Sequence, residues 1–175
     1  MIELMISVAV IAITMTVALP SFNTMIADNR IASETNRLIN DIQLARSEAL
    51  KRGARVILCR SGDITASPPT CSGTTKTWST GWLVFASGDN NSTYEPANDT
   101  LLRVSHATAN DNITIKTNSI SNNNLEYLPN TSTDEGGATA KFVICDTRGA
   151  AHGNEIQIPP VGRPRLASTV TTCTP

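Results

Sequence analysis

Apolar residues are distributed unevenly along the chain. From Leu4 to Leu19 the run LMISVAVIAITMTVAL is interrupted only by Ser7, Thr14 and Thr16, and no charged residue occurs from Leu4 to Ala27. A helix buried in a protein core carries a polar stripe at 3.6-residue spacing, which this run lacks. Extended through Pro20, Ser21 and Phe22, it approaches the roughly 20 residues a helix needs to cross a bilayer. A cleaved secretory signal would begin with a basic region and have an apolar core of about 7–15 residues. Here the leading charge is the acid Glu3 and the run is longer, so the pattern predicts a membrane helix. A carboxylate at the edge of hydrocarbon is costly, and Glu3 therefore either sits among headgroups or has a cationic partner.

Beyond the apolar run the pattern becomes amphipathic. Ile31, Leu38, Ile42, Ala45 and Ala49 recur at helical spacing, and Ile39 and Leu50 widen the stripe. Glu34, Arg37 and Asp41 follow one another at i+3 and i+4, which predicts a solvated helix face. Lys51, Arg52 and then Gly53 read as a helix C-terminus. Residues 1 to about 52 are thus expected to form one helix, kinked rather than ended by Pro20. The organisation that follows is a hydrophobic segment over 1–27 and a globular domain over 28–175. The latter divides into an amphipathic helix, 28–53, and a β domain, 54–175.

After Gly53 the texture is strand and loop. β-branched or alternating runs bounded by Gly, Pro, Asn and Asp predict strands at Val56–Arg60, Gly81–Ala86, Leu101–Ser105, Ile113–Thr117, Leu125–Leu128, Lys141–Asp146, Glu155–Ile158 and Leu166–Thr172. No helical period separates them, so the expected fold class is α+β: a long N-terminal helix, its first half transmembrane, packed on an antiparallel β-sheet domain. The polar stretches Ser61–Thr80, Ser87–Thr100 and Asn118–Gly137 read as long surface loops.

Composition narrows the function. The 175 residues are 17% charged and 4% aromatic with a net charge of −1, which removes any whole-protein attraction to nucleic acid or an anionic surface. Local charge says more: residues 28–60 carry +3, 61–135 carry −5 and 136–175 carry +2. There is no Gly-x-Ser-x-Gly, phosphate-binding Gly-rich or His-Glu-x-x-His motif, and neither His106 nor His152 stands at zinc-ligand spacing from a cysteine. No enzyme, metal or cofactor is expected. The four cysteines allow three pairings. Cys59 closes a strand just before the loop carrying Cys71, and Cys145 could tie down a terminal segment through Cys173, so Cys59–Cys71 with Cys145–Cys173 is the favoured set. Disulfides imply an oxidising compartment, hence an N-in, C-out orientation.

Arg163 and Arg165 are hard to dismiss as background. Pro159, Pro160 and Pro164 are expected to hold the segment extended and off the sheet interior. In an extended chain the two side chains project the same way, about 6.6 Å apart. Guanidinium forks at that spacing suit neighbouring phosphates, and a partner protein's carboxylates equally well. Lys141 and Arg148 either extend such a patch or are solvated strand-edge charges. Trp78 and Trp82 read as core or loop anchors rather than a base-stacking platform.

Ile2-Glu3-Leu4-Met5-Ile6 before an apolar helix, with Pro20 seventeen positions after Glu3, resembles the N-terminus of type IV pilins and type II secretion pseudopilins. The globular part is similar to the FimT/GspH branch of minor pilins. The matching pieces are Cys59…Cys71, Trp78-x-x-Gly81-Trp82-x-Val84-Phe85, Leu102-Arg103-Val104, Cys145-Asp146-Thr147-Arg148-Gly149 and Gly162-Arg163-Pro164-Arg165-Leu166. Met1 stands inside the family motif and no leader or processing site precedes it, which is expected of a truncated start. The resemblance implies assembly roles for Glu3 and Pro20, with Glu3 pairing with the N-terminal amine of a neighbouring pilin subunit. It implies a single-pass inner-membrane protein with a periplasmic C-terminal domain, carried to the cell surface in a pilus. The Gly-Arg-x-Arg motif points to FimT-like members implicated in DNA capture for natural transformation, with Gly162, Arg163 and Arg165 at the DNA. The other reading is a structural minor pilin or pseudopilin that primes fibre assembly.

Overall fold

The computed structural model describes residues 2–71, 77–106, 112–117, 124–167, 170 and 172–173, with the backbone alone over 16–21. One helix, α1 (Ile2–Arg52), precedes eight strands among the described residues. They are β1 (Val56–Arg60), β2 (Gly81–Ala86), β3 (Thr100–His106), β4 (Thr114–Thr117), β5 (Asn124–Tyr127), β6 (Ala140–Cys145), β7 (Asn154–Ile158) and β8 (Arg165–Leu166). The helix runs on through position 20; the side chain of Pro20 lies outside the described residues. It stops at Gly53, whose φ of +61° is the left-handed conformation that closes a helix.

The strands form two antiparallel sheets rather than the one expected, ordered β3-β2-β1-β5 and β4-β6-β7-β8. Within the first sheet β1, β2 and β5 are buried on both faces, which is why β1 and β2 read as continuous apolar runs, while the edge strand β3 is exposed or half-buried apart from Ser105. Val56, Leu58, Trp82 and Val84 point into the main core. Ile57, Cys59, Leu83 and Phe85 point the other way, packed against Cys71, Tyr94, Leu101 and Val104. The main core is completed by Ile115, Phe142, Ile144, Ile156 and Ile158 of the second sheet and by Ile31, Leu38, Ile42, Ala45 and Ala49 of α1. Trp78 stands edge-on to Phe142 with centroids 4.9 Å apart, and Trp78 and Trp82 are wholly buried. Leu50 departs from the expected stripe: it is 65% exposed. The last strand is shorter than expected and begins one residue earlier. Ala167 still donates to the Glu155 carbonyl at 2.9 Å, and residues 168, 169 and 171 of the expected Leu166–Thr172 strand lie outside the described residues.

The Glu34–Arg37–Asp41 ladder is not a solvated face. Asp41 is completely buried and Glu34 nearly so. The Asp41 carboxylate accepts from the Trp82 indole N–H at 2.8 Å, from the Ser105 hydroxyl and from Arg103 Nη1 at 2.7 Å. Arg37 pairs with Glu34 and donates to the His106 carbonyl at 2.9 Å. A polar seam therefore joins α1 to β2 and β3 alongside the apolar stripe.

A second clamp joins α1 to the end of β6. Arg148 Nη1 lies 2.8 Å from Asp28 Oδ1 and Nη2 lies 2.7 Å from Asp146 Oδ2. Asp146 Oδ1 also accepts the Arg148 backbone N–H at 2.9 Å. Burial alone would raise the Asp146 carboxyl, but the hydrogen bonds and charge of Arg148 outweigh it and hold the carboxyl below the usual carboxylate range. Disulfides join Cys59 to Cys71 and Cys145 to Cys173, the favoured set. With 12 and 28 residues of sequence separation, each stabilises the fold by about 3–4 kcal/mol in the loop-closure account.

Two expectations follow from these clamps. Asp41→Ala leaves the Trp82 N–H and Ser105 hydroxyl buried without their acceptor, and unfolding in urea of the full chain in non-ionic detergent should show a loss of about 3–5 kcal/mol. Asp146 is held ionised in the fold, so its contribution is present above the unfolded carboxyl pKa of about 4 and is lost as pH falls through the lower folded value. Thermal melts should place the native chain above Asp146→Asn at pH 7, with the gap closing as the pH is taken toward 2.

Candidate functional site

The arginine pair directly follows a turn that the core holds in place. β7 ends at Ile158, and Pro159 to Gly162 reverse the chain, with the Gly162 N–H donating to the Pro159 carbonyl at 2.8 Å. The prolines therefore build a turn here rather than the extended segment expected, because Gly162 takes φ +75°. Two groups bolt the turn down. The buried Tyr127 hydroxyl donates to the Gly162 carbonyl at 2.9 Å, and the Thr133 N–H donates to the Pro160 carbonyl at 3.0 Å. Burial pushes the Tyr127 phenol well above its ordinary range, and the nearby Arg46 charge works against that shift. The phenol is thus a permanent donor to the turn.

Gly162 is itself buried. A β-carbon there would lie 2.0 Å from the Thr131 carbonyl oxygen and 2.8 Å from Tyr127 Cε1. Its place in the Gly-Arg-x-Arg motif is to seat the turn, not to touch a ligand, which corrects its assignment as a contact residue. Arg163 and Arg165 follow immediately and are exposed. Among the described residues neither has a hydrogen bond or ion pair, in contrast to Arg148, whose charge is committed to Asp28 and Asp146. Arg148 is therefore withdrawn from the basic patch.

Strand register settles the neighbourhood of Arg165. It stands opposite Gln157, which stands opposite Lys141. Residues in register share a face, so Lys141 and Arg165 lie on the same outer face of the second sheet, two strand spacings or about 10 Å apart. Lys141 Nζ is 3.6 Å from Glu155 Oε1, and the Gln157 amide donates to that same oxygen at 2.8 Å. Lys116, opposite Val143, adds a third cation to this face. Sequence reasoning passed over Lys116 because it stands in the acidic part of the chain, and only register brings it beside Lys141.

The assembly residues lie elsewhere. Glu3 is exposed in the first turn of α1, where its carbonyl accepts from the Ser7 hydroxyl at 2.8 Å. Ile2, Leu4, Met5, Ile6, Val8, Val10, Ile11, Ile13 and Met15 are exposed around it, as are Phe22, Met25 and Ile26 further on. Among the described residues no helix has a stretch long and apolar enough to cross a membrane.

The family model for the type II transport protein GspH matches residues 34–162, most of the chain, ending at the glycine before the two arginines. Two crystal forms of the type IV minor pilin FimU of Pseudomonas aeruginosa strain PAO1 share the fold. One superposes with a TM-score of 0.61 at 20% identity, covering 83% of this chain and 96% of that one. The other has a TM-score of 0.61 at 21% identity, covering 81% and 98%. No curated protein matches the sequence. With the helix, the two antiparallel sheets and the family match in agreement, the chain belongs to the GspH family of pilin-like proteins.

Proposed function

We propose that this chain is a minor type IV pilin that binds extracellular DNA through its phosphates, for uptake in natural transformation. The observation that carries the reading is the pair of exposed arginines, without carboxylate partners among the described residues, directly after a turn fixed by Tyr127 and Gly162. A preorganised pair of guanidinium forks binds phosphate oxygens without first having to break an internal ion pair. Lys116 lies on the same outer face as Arg165, as does Lys141, whose charge is shared with Glu155. The resemblance of Gly162–Leu166 to the FimT-like motif supports the DNA as ligand. The exposed apolar half of α1 supports anchorage in the inner membrane before assembly and packing against other pilin subunits afterwards, with residues 1–27, Glu3 and Pro20 serving that step. The domain 28–175 is then periplasmic and later displayed on the fibre, in keeping with its disulfides.

The test is a DNA titration at several salt concentrations with the full chain in non-ionic detergent. Phosphate contacts carry no base information, so Arg163→Ala/Arg165→Ala should weaken binding to all sequences alike. The log–log salt slope should fall by about 1.8 on duplex DNA, or two lost counterion releases. The melting temperature should hold, since both side chains are in solvent. If affinity and slope are unchanged, the arginines face another protein, and the reading becomes a structural minor pilin or type II secretion pseudopilin that primes assembly without DNA.

A further inference from the structure

Arg46 is a cation that the function so far leaves unused. It lies in the last packed turns of α1, and its Nε is buried without a hydrogen-bond partner among the described residues. Its Nη2 reaches only the Thr131 hydroxyl, at 3.4 Å. No carboxylate among the described residues pairs with it. Around it Gln43, Ser47, Leu50 and Thr131 line a groove of about 300 Å³. The helix contributes one side through residues at i, i+3, i+4 and i+7, which share a face. The other side is the turn after β5, where Thr131 is held at φ +66°, a left-handed conformation uncommon for a residue with a β-branched side chain.

This groove adjoins the Pro159–Gly162 turn through Thr131. The Thr131 carbonyl is the atom against which Gly162 is packed, and Arg163 is the next residue along. Arg46 and Arg163 thus flank one pair of docked turns, Leu128–Thr131 and Pro159–Gly162. The groove offers a guanidinium, the Ser47 and Thr131 hydroxyls and the Gln43 amide, with no acid among its lining residues. That donor-rich, cationic lining fits an anion better than a neutral segment, and beside Arg163 the anion that extends the proposed footprint is a phosphodiester.

The geometry points to Arg46 as a further phosphate-binding residue, holding a backbone phosphate of the same DNA strand that Arg163 and Arg165 grip. The inference rests on the DNA-binding reading above and extends its footprint onto the helix. The apolar Leu50 wall of the groove would then lie against sugar rather than phosphate.

The experiment uses the full chain in non-ionic detergent, titrated with a 30-base-pair duplex at several salt concentrations. Arg46→Gln should lower affinity about three- to tenfold and reduce the salt slope by about 0.9. Arg46→Lys, which keeps the charge, should restore the slope. Ser47→Asp, an exposed substitution that places an acid in the groove without touching the core, should weaken binding with the melting temperature unchanged and gives a reading even if Arg46→Gln is unstable. The inference is overturned if Arg46→Gln and Ser47→Asp bind with native affinity and slope while Arg163→Ala/Arg165→Ala loses both. A native chain that binds no DNA at all overturns the underlying reading, and the groove assignment with it.

Discussion

The buried carboxylate of Asp41 fixes how the helix meets the sheets. Apolar burial drives docking but is non-directional, and a stripe of Leu, Ile and Ala tolerates small rotations and shifts. A carboxylate with no exposed surface does not. It must meet the Trp82 indole, the Ser105 hydroxyl and the Arg103 guanidinium together, and those donors come from two adjacent strands paired in register, Trp82 opposite Ser105. Only one rotation and one height of α1 satisfies all three. Losing that fit would strand buried polar groups at a cost comparable to a sizeable share of a domain's net stability.

The rotation set by Asp41 determines what the rest of the helix presents. At about 100° per residue, Leu38, Ile42, Ala45 and Ala49 fall to one side of Asp41 and fill the core. Arg46 lies roughly 140° round from Asp41 in the same sense, on the far flank of that stripe. In the sheet order β3-β2-β1-β5, Asp41 engages β2 and β3 while Arg46 reaches the turn after β5. The helix thus crosses the whole sheet, with its anchoring carboxylate at one edge and the Arg46 guanidinium at the other. The Arg148 clamp to Asp28 ties the same helix to the second sheet one and a half turns before Glu34, so both sheets are referred to one rod.

Much of this was legible in the chain. Val56–Arg60 and Gly81–Ala86 stand out because strands buried on both faces leave unbroken apolar runs, and Ile31 to Ala49 stand out because a one-sided helix leaves a period. What misled was polarity taken as exposure. Glu34, Arg37 and Asp41 have the spacing of a solvated ladder, yet the donors that bury Asp41 lie 41, 62 and 64 residues further on, and no local pattern contains them. Pro159 and Pro160 suggested an extended segment because proline fixes its own φ, while the reversal is made by Gly162 against Tyr127 and Thr131. The alignment of Lys116 and Lys141 with Arg165 depends on register across four strands, which is invisible until the sheet is formed. The exposure of Leu50 has the same origin: a stripe on a helix is apolar only as far as there is a sheet beneath it.

The distribution of counterions separates arginines that meet a carboxylate within the fold from those that meet none among the described residues. Arg37, Arg52, Arg55, Arg103 and Arg148 each meet a carboxylate, and in four of these five pairs that carboxylate is on α1. In the acidic middle of the chain, Asp89 and Asp99 are likewise occupied, accepting backbone N–H groups of Asn91, Gly88 and Glu95. Arg30 also has no carboxylate partner among the described residues, and it lines a small groove with Asp146 and Arg148. Among the described residues Arg46, Arg163 and Arg165 pair with no carboxylate; Arg46 and Arg163 flank two turns packed against each other at Gly162 and Thr131, and Arg165 opens β8 just beyond. Exposed cations such as Arg163 and Arg165 add little to folding stability, and the Arg46 Nε is buried without a hydrogen-bond partner among the described residues, so the fold gains little by collecting them there. It does hold their backbones rigidly, through a tyrosine hydroxyl, a glycine that admits no side chain and a helix locked by a buried carboxylate. Rigid placement of charges that have no internal partner is the arrangement that an external anion can use at the lowest entropic cost.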